Sequence, residues 1–328
     1  MYATGNKKML NMLILEVLRK YSDENHALTQ QEIIRLLDKN YGMECDRRSV
    51  KNNVLSLKEL GYEISMEKGY RLLEREFDDA ELRILIDSVL FSKSISTRQA
   101  KGLIEKLRSL ASNYFNAKVS HVSNLPDLNR TNNKQAMYAL DAINDAISEH
   151  KKISFIYNQI GVDFKLHPRR EEPYIVNPYQ IVANNGRFYL IGNYDKYDNV
   201  AHFRIDKMTE VKMLKDKAKP MKDIPELKDG LNLPRHMADH IYMFSGPSVP
   251  VKLETTEDMM SELTDWFGYD FKVLKHTGDM ITVRVECNEN AMRYWALQYG
   301  PWVEVLEPKS LREQIRADIS NMTEKYCK

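Results

Sequence analysis

Residues 186–208, "GRFYLIGNYDKYDNVAHFRIDKM", read as two strands joined by a turn. Apolar residues alternate through both strands, yet arginines, tyrosines, aspartates and a histidine stand between them. At a side-chain period of two, Arg187, Tyr189 and Ile191 share one face and Phe188 and Leu190 the other. On the second strand His202, Arg204 and Asp206 alternate with Phe203, Ile205 and Lys207. One surface of the sheet is thereby expected to be apolar and the opposite one to offer tyrosine, histidine and arginine. Guanidinium groups suit phosphate and aromatic rings suit stacked bases. An ordinary solvated face, with Arg204 paired to Asp206 or a neighbouring acid, fits the alternation equally well, and periodicity alone leaves both readings open.

Working outward, "KISFIYN", "VDFKLHPRR" and the first strand of "YIVNPYQIVANNGRFYLIG" precede this hairpin, that strand joined to the hairpin's first by an Asn-Asn-Gly turn. A helix, "AMYALDAINDAISEHK", comes before them. One helix followed by five short, mostly antiparallel strands predicts a small, strongly bent sheet or open barrel. Tyr157, His167, Arg169 and Tyr179 fall on its strands and join Arg187, Tyr189, His202, Arg204 and Lys207 as candidate effector-binding residues.

Toward the N-terminus, Leu10, Leu13, Ile14, Val17 and Leu18 recur at helical spacing. Thr29 stands three residues before Glu32, the capping-box signature. "DRRSVKNNVLSLKELG" predicts a third helix, capped by Asp46 and ended by Gly61. A strand, a Lys-Gly turn and a second strand follow, so residues 1–75 are expected to form a winged helix-turn-helix. At about 100° per residue, Arg48, Ser49, Asn52 and Ser56 project away from the Val50/Val54/Leu57 stripe, flanked by Arg47 and Lys51. Arginine and asparagine read base edges bidentately, while serine and lysine suit phosphate oxygens. With Thr29 and Gln30 at the second helix and Lys68 in the wing, these are the candidate DNA-binding residues.

The rest of the chain divides at composition changes. Residues 76–130 read as a helical connector, with Asp78 and Glu81 in capping-box register; it either packs on a partner or closes on itself. Residues 131–216 hold the bent sheet, 217–248 are charged and Pro-containing, and 249–328 follow a βαββαβ order, which is ferredoxin-like. His236 and His240 stand four apart on a helix, but Met237 occupies the position of the HExxH glutamate, so no metal site is expected.

Composition bounds the function. Of 328 residues 43% are hydrophobic and 29% charged, with a net charge of +1, which excludes a general polybasic coat. No apolar run reaches the roughly 20 residues of a membrane span, and the N-terminal patch, broken by Glu16, lacks a cleavage site, so a cytoplasmic protein is expected. Cys45, Cys287 and Cys327 are too dispersed for a disulfide framework. There is no GxSxG, P-loop or dinucleotide fingerprint, so neither catalysis nor a cofactor is expected.

Two stretches carry a family resemblance. "RRSVKNNVLSLKELGYEI" resembles the N-terminal helix-turn-helix of bacterial WYL-domain regulators, with Asn52-Asn53 where that pattern tends to carry Arg-Asp. "VNPYQIVANNGRFYLIGNYDKYDNVAHFRIDKM" closely resembles the WYL domain, named for a Trp-Tyr-Leu tripeptide that is Phe188-Tyr189-Leu190 here. Pro178-Tyr179, Gly192, Tyr157 and the closing Phe203-Arg204-Ile205-Asp206-Lys207-Met208 match its other elements, with Lys207 in place of arginine. Lysine does not reproduce bidentate phosphate recognition. The last third is similar to the C-terminal extension of these regulators. The resemblance implies an α+β multidomain chain: winged helix-turn-helix, helical connector, Sm-like bent β-barrel and ferredoxin-like extension. It also implies a homodimeric transcription regulator that binds double-stranded operator DNA and senses single-stranded nucleic acid or a nucleotide. The alternatives are a single-stranded nucleic-acid-binding accessory protein and a nucleotide-processing enzyme.

Overall fold

Helix α1, Leu10–Tyr21, buries Leu10, Ile14, Val17 and Leu18 as their spacing predicts, and Leu15 besides, while Leu13 is half-buried. The computed structural model describes residues 9–118, 130–131 and 133–327, and the Pro- and Asn-rich boundary expected around 123–135 falls largely outside them. α2, Gln30–Tyr41, opens on the full Thr29/Glu32 capping box and closes at Gly42, whose φ of 62° is left-handed. α3, Arg47–Glu59, starts where the Asp46 carboxylate accepts the Ser49 N–H at 2.7 Å. Its Val50, Val54 and Leu57 meet α1 and α2 in one core.

Strands β1, Ile64–Ser65, and β2, Arg71–Leu72, pair antiparallel behind α3. Their turn runs through Lys68 and Gly69 at φ of 56° and 126°. A Cβ on Gly69 would stand 2.9 Å from the Ala27 Cβ, so the position needs glycine on two counts. Leu28 bridges to Tyr70 and fixes the hairpin to the segment entering α2. The next helices are α4, Asp79–Phe91, α5, Thr97–Ser109, and α6, Asn113–Lys118. The chain breaks between α5 and α6. Leu82, Ile86, Ile104, Ala111 and Phe115 close a small core here, while Ile84 and Phe91 remain exposed.

The chain divides into two compact units, 1–132 and 133–328. In the second, α7, Ala136–Ser148, precedes β3, Lys151–Ile160, β4, Leu166–Pro168, β5, Tyr174–Asn184, β6, Arg187–Tyr194, β7, Val200–Arg204, and β8, Met208–Lys217. β3 pairs with β5 and β8, β5 with β6, and β6 with β7, all antiparallel, and β4 adds to the far end of β3. β7 and β8 therefore lie at opposite ends of the strand order, yet one 3-10 turn, Ile205–Lys207, joins them. That connection is possible only because the sheet curls into a half-barrel. Asn185 and Gly186, at φ of 49° and 75°, form the expected tight turn between β5 and β6. At Gly192 a Cβ would meet the Asn177 carbonyl oxygen at 2.8 Å, beside a register shift in β5.

Three expectations need correction. "VDFKLHPRR" is not one strand: Gly161 accepts the Phe164 N–H in a tight turn, leaving Phe164 exposed, and only 166–168 extend. The hairpin's second strand ends at Arg204, because the chain must turn there to reach β8. The sheet's second surface is also not open along its length. Ile224 and Leu227 from the charged segment, with Met243, pack on Tyr179, Val182, Ile191 and Val200 as a second core. The first core lies on the other side, where α7 meets Phe155, Leu190, Phe203 and Met208.

Helix α8, Leu233–Asp239, leads to β9, Ser248–Thr256, α9, Met260–Phe267, β10, Lys272–Thr277, β11, Met280–Asn288, α10, Glu289–Gln298, β12, Val303–Glu307, and α11, Lys309–Tyr326. The sheet order is β10-β11-β9-β12, and Trp295, Leu263 and Leu253 are among the side chains at its core. Among the described residues no helix is long and apolar enough to cross a membrane.

Candidate functional site

The uncovered part of the sheet's second surface is organised by one carboxylate. Asp206 sits on the turn between β7 and β8 with 4% of its surface exposed. Arg204 reaches it with Nε at 3.1 Å and a terminal nitrogen at 2.7 Å, and Arg187 from β6 adds a contact at 2.7 Å. The turn is pinned from behind. The Asn133 amide donates to the carbonyls of Asp206 and Met208, and the Asn158 amide to that of Lys207. Both asparagines are buried, and neither stood out in the sequence. For Asn158 the only sign was a polar residue directly after the apolar alternation of β3, which a buried position tolerates only with a partner; Asn133 sits in a polar run that gave no sign.

Around this clasp the charge is unbalanced. Lys207 feels Arg204, Arg169 and Arg187 against Asp206 alone; burial first, then the arginine charges, push its ammonium below the ordinary lysine range. Burial also opposes the charge on Arg204, but the hydrogen bonds and charge of Asp206 more than offset it, so its pKa stands above the ordinary value. Tyr157 is 8% exposed; its hydroxyl accepts the Arg204 backbone N–H at 3.1 Å and its ring lies 5.1 Å below the Arg169 guanidinium. Tyr189 pairs with Arg204 across the β6–β7 ladder. Burial raises both phenols, so they stay neutral donors. Two arginines fixed by Asp206, the exposed Arg169, a lysine and two neutral phenols against one carboxylate can bind an anion that also presents a planar group.

The fold thus gathers Tyr157, Arg169, Arg187, Tyr189, Arg204 and Lys207. It separates three others from them. The Tyr179 ring lies in the second core, with its hydroxyl donating to the Lys219 carbonyl at 3.0 Å. His167 is exposed and held by Asp163 at 2.9 Å on the 161–165 turn. His202 turns to His236, with their Nε2 atoms 2.8 Å apart, and its ring lies tilted with its centroid 4.9 Å from that of His240. Burial, then the neighbouring rings, push His202 down to about 2 and His236 to about 4, so both are neutral at pH 7.

In the first unit, Arg47, Arg48, Lys51, Asn52 and Ser56 are exposed on α3, and Ser49 is half-buried. Lys68 is exposed at the hairpin tip. Thr29 and Gln30 are committed inside the fold: Thr29 caps α2, and the Gln30 amide donates to the Tyr70 hydroxyl at 2.8 Å.

Comparison with known proteins adds the following. Residues 138–213 match the WYL domain and residues 247–323 the WCX domain. No curated protein matches the chain. Among solved structures, the chain is similar to proteasome accessory factor B/C (PafBC) of Arthrobacter aurescens, at 16% identity and a TM-score of 0.32. That match covers 98% of this chain and 49% of the other, so the chain spans about half the length of that relative. A CRISPR Cas-related protein is similar at 15% identity and a TM-score of 0.40, covering 77% of this chain and 75% of that one.

Proposed function

We propose, from a chain that carries a WYL domain followed by a WCX domain, a DNA-binding transcription regulator with an anion sensor built into its curled sheet. The observation that carries the reading is the clasp: Arg187 and Arg204 held by Asp206 beside Tyr157 and Tyr189, with Arg169 and Lys207 leaving cationic surplus. Asp206 fixes the guanidinium planes before any ligand arrives, and the phenols flank them. A phosphodiester with an attached base answers both features, so single-stranded nucleic acid or a nucleotide is the effector class.

The first unit supports the other half of the function. Its three helices and two-stranded hairpin follow the order of a winged helix-turn-helix, and α3 presents Arg48 and Asn52 outward in the manner of a recognition helix. A homodimer would place two such helices on half-sites roughly 34 Å apart or a multiple of it. Occupancy of the clasp would favour one placement of the DNA-binding heads.

Selecting duplexes from a random pool with the full chain tests the DNA-binding half. A recurrent sequence is expected, and Arg48→Ala or Asn52→Ala should weaken its binding by about 1–3 kcal/mol. Both substitutions should leave binding of an oligonucleotide at the sheet unchanged. Recovery of no preferred duplex would contradict the reading and favour a single-strand-binding accessory protein.

A further inference from the structure

We propose that His202, His236 and His240 form a binding site for a first-row divalent transition metal, with Zn²⁺ as the ion it suits. His202 stands on β7, His236 on α8, and His240 caps the C-terminal end of α8. His202 and His236 are 34 residues apart in sequence, yet the three rings each offer a nitrogen within 4.8 Å of the other two. The helical pair alone has no third ligand, and HExxH chemistry is excluded by Met237. The strand supplies what the helix lacks.

The protonation pattern favours a metal over a set of hydrogen bonds. The His240 Nδ1 is 2.9 Å from the His236 carbonyl, whereas its Nε2 is 3.4 Å from that of Gly246. The shorter contact puts the hydrogen on Nδ1 and leaves the Nε2 lone pair for a ligand. A backbone carbonyl on the far nitrogen is also how metal-bound histidines are commonly oriented. Between His202 and His236 only one hydrogen can lie between the two Nε2 atoms. Such a bond leaves His240 outside it. Bringing all three Nε2 lone pairs onto one ion uses every ring.

Size is compatible. Zinc–nitrogen bonds of about 2.0–2.1 Å at tetrahedral angles put ligand nitrogens about 3.3 Å apart. The 2.8 Å pair would open by about half an ångström, which two partly exposed rings allow. Three imidazoles leave a fourth position for water. No carboxylate belongs to the cluster, and neutral nitrogen ligands select zinc, copper, nickel or cobalt over magnesium or calcium. Zinc occupancy would clamp α8 onto β7. His202 and Arg204 lie two apart on that strand, opposite Ile191 and Tyr189, so the clamp would brace the strand that carries the arginine clasp.

The test uses the untagged full chain stripped with a chelator, then titrated with Zn²⁺ by calorimetry and with Co²⁺ by visible absorption. One ion per chain is expected, with the intense visible bands of tetrahedral cobalt and no sulfur charge-transfer band. His236→Gln should weaken zinc binding at least about tenfold, while His167→Gln, at the separate exposed histidine, should leave it unchanged. Failure of the wild-type chain to take up zinc would overturn the proposal, as would binding that His236→Gln leaves intact. A cobalt spectrum with sulfur ligation would move the metal to a cysteine and overturn it without reference to any variant.

Discussion

The basic face of α3 and the arginine clasp around Asp206 carry similar cations in opposite states. On α3, Arg47, Arg48 and Lys51 are exposed and make no ion pair among the described residues. Their side chains keep their rotamer freedom, which suits a phosphate backbone that is met at many points and slid along. Around Asp206, Arg204 is held by two nitrogens and Arg187 by one, on a turn that two buried asparagines hold from behind. There the ordering cost is met in folding, not in binding. The difference teaches that a count of basic residues says little about recognition; what each cation is tied to decides whether it adapts to a ligand or selects one.

The comparison is easiest to break at Asp206. Asp206→Ala leaves two arginines facing each other without their carboxylate, and should lower the unfolding free energy of the second unit by about 3–5 kcal/mol in urea titrations. No single neutralisation on α3 should cost more than about 0.5 kcal/mol. Equal losses at the two places would dissolve the distinction. An exchange of cation type sharpens it. Arg204→Lys removes the two-nitrogen grip and should weaken oligonucleotide binding by about 1.5–3 kcal/mol, whereas Lys51→Arg should leave duplex binding within about 0.5 kcal/mol.

The smallest expected effect is a pH dependence. Because Lys207 has its pKa lowered by burial and by the nearby arginines, it loses its charge as pH rises before an ordinary lysine would. Anion affinity should therefore fall on the alkaline side, and Lys207→Arg should remove that fall. Anisotropy titrations across pH check it; an unchanged alkaline limb in Lys207→Arg would take Lys207 out of the site.

Local features were legible in the sequence, and long-range cover was not. Thr29/Glu32 and Asp78/Glu81 announced helix starts that the structure has, because a cap is decided within four residues. The Asn185-Gly186 turn and the outward row on α3 follow from equally short-range rules. The second core was hidden because its lid, Ile224 and Leu227, sits in a segment dominated by lysine and aspartate. One clue was present: Leu190 and Ile191 are adjacent and both apolar, which a strand with one wet face does not need, and both are fully buried in the structure. Alternation failed for His202 in the same way, since the residues that claim it, His236 and His240, arrive from that lid segment. Asp206 was expected on the sheet face with Arg204; its role as anchor for Arg187 as well depends on a turn that period-two reasoning carries straight through.

The most direct test of the central claim is fluorescence anisotropy of a short labelled single-stranded DNA titrated with the full chain over a salt series, in parallel with Arg204→Ala. Saturable binding that the substitution weakens by roughly 10–100-fold, with duplex binding through α3 retained, is the predicted result. Binding that is weak, collapses with salt and is the same in both proteins would contradict it. The clasp would then be an ion pair that holds the sheet's turn in place and senses nothing.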